Sequence, residues 1–74
     1  MSLHRTRTCR FCELTAPAVT MVRFGTRYAH PACGLDRLGS GFIASIAPVE
    51  VGRIPVGIAI QYGVLDAIER RLAA

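Results

Sequence analysis

The chain has 74 residues, 51% of them hydrophobic and 19% charged, with a formal net charge of +4 and three cysteines. A chain this short makes one domain and buries too little surface to be comfortably stable without a staple. Disulfides are a poor candidate, because pairing leaves one cysteine over, and a membrane span is excluded by the most apolar run, residues 54–65, which is twelve residues long and interrupted by Pro55 and Gln61.

All nine basic residues are arginine. Six of them, set against Glu13 and Asp36, give residues 1–37 a charge of +4, while three arginines against Glu50, Asp66 and Glu69 leave residues 38–74 neutral. An arginine-only basic set matches a GC-rich genome; it also suits bidentate recognition of phosphate or carboxylate, which lysine performs less well.

Residues 1–8 form a basic polar tail carrying Arg5 and Arg7. It is expected either as a loose terminus or as an arm that grips phosphates. His4 has no partner at metal spacing and is expected in solvent. The first seven residues lack the apolar core of a secretory signal. The thiols are therefore expected in a reducing cytoplasm, or inside a phage or other large assembly.

Cys9-Arg10-Phe11-Cys12 follows, then seventeen residues, then His30-Pro31-Ala32-Cys33. This C-x2-C-x17-H-x2-C pattern uses every cysteine. Two ligand pairs, each with a two-residue gap, can wrap one tetrahedral ion, which is how structural zinc is held. The expected cofactor is one structural Zn²⁺ on Cys9, Cys12, His30 and Cys33. Three ordinary buried or redox-active cysteines are the competing reading, and it leaves their regular placement unexplained. A Cys3His set also suits an iron–sulfur cluster, although the spacing is that of zinc. The position after Cys12, where such knuckles favour glycine because φ is positive, holds Glu13.

Thr15-Ala16-Pro17 reads as a connector, since Pro17 pushes Ala16 extended. Val19 to Phe24 alternates as a strand, Gly25-Thr26 supplies a turn, and Arg27-Tyr28-Ala29 returns, which brings His30 beside the first knuckle. Phe11, Phe24 and Tyr28 are candidate packing around the ion. Pro31 suits the first turn of a helix, on which His30 and Cys33 are neighbours. Gly39-Ser40-Gly41 ends it.

Knuckle, hairpin, then a helix with the last two ligands at its start: over residues 9 to about 38 the chain resembles the treble-clef zinc fingers, with the ligand spacing of the first zinc module of LIM domains. The resemblance implies a small zinc-stabilised α+β fold with Cys9, Cys12, His30 and Cys33 as ligands. A LIM domain would continue with a second ligand set; here Gly34, Leu35 and Asp36 follow, so the module stands alone. Catalysis is not expected. Catalytic zinc keeps an open position, and this pattern closes all four. Treble-clef nucleases of the His-Asn-His type need an asparagine, which the chain lacks.

Residues 42–65 hold fifteen apolar residues in twenty-four. Phe42 to Ala47 is read as a short helix or a buried strand, stopped by Pro48, and Val49-Glu50-Val51 as a strand or extended link. From Val56 onward, Val56, Ile60, Val64, Ile68 and Leu72 recur every four residues and predict one amphipathic C-terminal helix. The expected organisation is a tail over 1–8, a zinc module over 9–39, and an apolar segment with a helix over 40–74 that packs on the module or on a partner.

Two functions fit. One is a small adaptor or assembly subunit that self-associates or docks on another protein through Ile60, Val64, Ile68 and Leu72. The other is a nucleic-acid-binding protein that contacts phosphates through Arg5, Arg7, Arg23 and Arg27. Neither a small-molecule substrate nor a membrane is expected.

Overall fold

A computed structural model describes residues 5–73 of the chain. His4 and the start of the basic tail lie outside the described residues. Among the described residues the fold is a small α+β structure with two hairpins and five α-helices. β1 (Thr6–Thr8) pairs antiparallel with β2 (Thr15–Pro17), and β3 (Val22–Phe24) with β4 (Arg27–Ala29). Then come α1 (Pro31–Leu38), α2 (Ser40–Ser45), α3 (Pro48–Val51), α4 (Val56–Gln61) and α5 (Leu65–Ala73).

The first hairpin corrects two readings. Thr6 to Thr8 is a strand rather than a tail, and Thr15 to Pro17 is its partner rather than a connector. Pro17 is tolerated at the strand end because its missing N–H costs no ladder bond there. The segment read as one strand from Val19 to Phe24 is divided. Ala18–Thr20 makes a single 3₁₀ turn, closed by Met21 N–H on the Ala18 carbonyl and by the Thr20 hydroxyl on the Pro17 carbonyl at 2.7 Å. That turn reverses the chain between the hairpins, and only Val22–Phe24 is left to pair. Gly25, at φ 63°, takes the left-handed position of the two-residue turn. The hairpins are joined where Cys9 bridges Tyr28 and Arg10 N–H donates to the Tyr28 carbonyl at 2.7 Å.

Pro31 opens α1, and Gly39, at φ 58°, closes it with its N–H on the Leu35 carbonyl. The same glycine caps the start of α2, so the two helices fold sharply on each other. Gly34 makes the contact possible: a Cβ there would overlap the ring of Phe42, which is fully buried. Phe42 stacks on Phe24 at 5.6 Å, and Phe24 meets Phe11 edge-on at 5.8 Å. A column of rings therefore runs from the first knuckle to α2.

The C-terminal half shares this core. Val51, Ile54, Ala59, Val64 and Ile68 belong to the same buried cluster as Met21, Val22, Ala29 and Leu35. Val49-Glu50-Val51, read as a strand or link, is a helical turn begun by Pro48. Glu50 ties it to the second hairpin by accepting the Arg23 backbone N–H at 2.6 Å, and Arg53 reaches both Glu50 and the Val19 carbonyl.

The single amphipathic helix expected from Val56 is two helices. Gly63, at φ 66°, breaks it: its N–H bonds the Ile60 carbonyl while Val64 N–H bonds the Ala59 carbonyl at 2.9 Å. This is the Schellman arrangement, with Val64 and Ala59 supplying the usual apolar contact. The helix axis changes there, so the spacing by four is not one face. Val64 and Ile68 are core, whereas Val56, Ile60 and Leu72 stand in solvent. Of the predicted docking set, only Ile60 and Leu72 are available to a partner.

Gly34→Ala is expected to destabilise the metal-loaded protein by about 1–3 kcal/mol, the usual cost of overpacking, despite the better helix propensity of alanine. Denaturant midpoints compared with the parent chain check this; an unchanged or raised midpoint would show that Phe42 gives way freely.

Candidate metal centre

The first hairpin carries its ligands at its tip. Beyond β1 the chain turns tightly, with Glu13 N–H on the Cys9 carbonyl and Cys9 N–H on the Leu14 carbonyl, each at 3.0 Å. Closing that turn forces Glu13 to φ 62°, the one left-handed non-glycine among the described residues. The backbone thus demands at Glu13 the conformation for which a glycine is ordinarily chosen.

The second ligand pair sits at the start of α1. His30 is its N-cap residue, extended at φ −65° and ψ 139°, and Pro31 commits the chain to helix immediately after it. Cys33 then lies one turn on, on the side of His30.

The four ligand atoms come together, all within 4.8 Å of one another. His30 presents Nδ1, which is 3.4 Å from Cys12 Sγ and 3.7 Å from Cys33 Sγ. A tetrahedral ion with metal–sulfur bonds of about 2.3 Å and metal–nitrogen bonds of about 2.0–2.1 Å sets sulfur–nitrogen edges of about 3.6 Å. The donor set therefore fits one metal ion. Cys9 is buried, Cys33 half-buried and Cys12 exposed, so the site opens to solvent along one edge.

The thiols differ in acidity. Burial pushes the Cys9 thiol up, but the backbone N–H groups of Cys12, His30 and Phe11 outweigh it and bring it from 9.0 down to about 6. Burial also raises Cys33, and the neighbouring sulfurs of Cys12 and Cys9 add to it, taking Cys33 up to about 12. Thiolates this close repel, so without a cation Cys33 keeps its proton at neutral pH. A divalent ion removes the repulsion and displaces the proton.

The arginines divide. Arg7 and Arg27 line one cleft, joined by Arg10, which is not among the four expected phosphate contacts. Arg10 was hard to single out because its position between the ligands reads as knuckle. Arg23 lies in a different depression with Gly25 and Glu50, its Nε spent on the Gly25 carbonyl at 3.1 Å. Arg5 is exposed, and its carbonyl accepts the Ala18 N–H. The expected contact set of Arg5, Arg7, Arg23 and Arg27 is therefore not one group.

No family model, curated protein or solved structure matches the chain. No helix among the described residues is long and apolar enough to cross a membrane.

Two measurements follow from this geometry. Metal uptake by the reduced, metal-free chain at pH 7.5 is expected to release at least one proton, from Cys33, read as a dependence of titration heat on buffer ionisation enthalpy. Acid should reverse the binding. In the metal-free chain the contribution of the Cys9 thiolate to stability is complete above its ordinary value of 9.0 and is lost as the pH falls through about 6; metal-free stability that stays constant through that range would contradict this. Separately, Glu13→Gly is expected to stabilise the protein by about 1 kcal/mol, the left-handed strain of a non-glycine residue, with metal stoichiometry unchanged. A lower melting temperature would show that the Glu13 side chain contributes more than its backbone strain costs.

Proposed function

We propose that the protein is a structural zinc-finger protein, a lone treble-clef-like module that acts as a small adaptor or assembly subunit. Zinc is favoured as the metal because a Cys3His donor set suits it and the two sulfur–nitrogen edges from His30, 3.4 and 3.7 Å, are near tetrahedral length. Four protein ligands would leave no position for a water or substrate, which supports a structural ion over a catalytic one and a binding role over an enzymatic one. Residues 9–39 make the zinc module, and residues 40–74 pack on it and present the docking face. Three reduced, metal-bound thiols suit a cytoplasmic setting or the interior of a large assembly.

One observation carries the adaptor reading. Val56 and Ile60, one turn apart on α4 and so on the same face, are each 63% exposed. Leu14 and Val19 are also exposed, but singly and on the first hairpin side of the fold; two exposed aliphatics grouped on one helix face support an interaction surface more than scattered ones do. Val49 and Leu72 in the same half are also exposed.

Light scattering of the metal-loaded chain over a range of concentrations tests this. The native protein is expected to self-associate, and Ile60→Arg to make it monomeric with unchanged circular dichroism and metal content, since each aliphatic side chain lost from an interface removes about 1.5–3 kcal/mol. Ile68→Arg, by contrast, is expected to unfold the chain, because Ile68 is core. A native monomer at high micromolar concentration with an equally soluble Ile60→Arg variant would count against the α4 face.

A further inference from the structure

Between β1, the Cys9–Glu13 turn and the β3–β4 turn lies a solvent-open cleft of about 460 Å³. Arg7, Arg10 and Arg27 line it, with Thr8, Thr26 and a single carboxylate, Glu13. Among the described residues the ion pair that forms is Arg53–Glu50, at 3.4 Å, and Arg7, Arg10 and Arg27 have no carboxylate partner.

Two of the three are nevertheless held in place. The Arg7 guanidinium lies over the Tyr28 ring at 5.2 Å, and that of Arg10 over Phe24 at 5.6 Å and Phe11 at 6.0 Å. Stacked guanidiniums are pre-organised: their charge and their N–H forks are fixed before a ligand arrives, so little side-chain freedom is lost on binding. Like charges gathered in one cleft repel unless an anion joins them.

The chemistry narrows the anion. Three forks of up to five donors each, with two threonine hydroxyls, far exceed what the two oxygens of one carboxylate accept. A run of phosphates supplies both charge and oxygens at each step. The cleft is open, so a continuous strand can lie across it. It has no free aromatic platform, because Arg7 covers the Tyr28 face, and so offers no base stacking of the kind sequence-tolerant single-strand binders use. It also presents no Asn or Gln to read an adenine edge.

We propose that the Arg7–Arg10–Arg27 cleft grips successive backbone phosphates of a polynucleotide without reading its sequence. This site is separate from the α4 docking face and does not rest on it.

The test is fluorescence anisotropy of a labelled DNA duplex titrated with the metal-loaded full chain between 50 and 200 mM salt. Three neutralised phosphates give a log–log slope of about −2.7, a loss of roughly fortyfold across that range. Arg27→Ala and Arg7→Ala are each expected to lower the slope by about 0.9 and to weaken duplexes of different sequence alike. Arg70→Ala, an equal loss of charge on exposed α5, is expected to leave affinity within about twofold, since general attraction alone is weak. Arg7 packs on a ring, so Arg27, whose side chain is exposed, carries the test if Arg7→Ala disturbs the circular dichroism. Equal weakening by Arg27→Ala and Arg70→Ala would mean diffuse attraction and overturn the site. So would no binding at low salt. Displacement of the duplex at matched ionic strength by inorganic phosphate, or by polyglutamate at equal charge, would assign the cleft to free phosphate or to acidic protein instead and equally overturn the proposal. Light scattering without nucleic acid reads the docking face on its own, so either reading can fail alone.

Discussion

Two backbone N–H groups from distant segments point at one sulfur. Phe11 N and His30 N each lie 3.4 Å from Cys9 Sγ, and Cys9 itself is part of the buried core. This small cage places the tip of the first hairpin against the start of α1 and stabilises a thiolate there. The other ligands are arranged around it: Cys12 by the tight turn that closes on Cys9, His30 by the same N–H contact, Cys33 by the helical turn that His30 caps. A fold this small has little else with which to hold two hairpins and a helix start in register.

The ligand set was legible because metal chemistry imposes spacing directly on sequence. C-x2-C and H-x2-C place donors on a turn and on a helix start whatever surrounds them, and the structure brings Cys9, Cys12, His30 and Cys33 together. The β3–β4 turn and the entry of α1 at Pro31 were legible for similarly local reasons, a glycine that must take positive φ and a proline that fits the first helical turn. The β1–β2 hairpin was not. Its strands are three residues each and largely exposed, with no alternation for a core to impose, and the tight Cys9–Glu13 turn between them, closed by backbone hydrogen bonds, carries their pairing.

The C-terminal half failed for the opposite reason: its periodicity was real but interrupted. Gly63 lies inside the run that the spacing by four reads as one helix, whereas it ends one helix and lets the next begin at a new angle. Periodicity counts positions along one axis and is blind to a change of axis. Val64 and Ile68 therefore turned inward to join the core, and Ile60 stayed outside. The arginines were misgrouped similarly. Arg23 is in the chain beside hairpin neighbours of the cleft, but Glu50, twenty-seven residues later, draws its backbone into another contact.

The column of rings from Phe11 through Phe24 to Phe42 couples places that the chain keeps apart. Phe11 sits between two ligands, Phe24 ends β3, and Phe42 is pressed against Gly34, next in sequence to a third ligand. Close-packed interiors transmit displacement with little give. The knuckle and the start of α1 therefore lean on the same stack from two ends. Were an ion bound, a loss of ligation on either side would bear on the same stack and so on α2, whose own residues contribute nothing to the site.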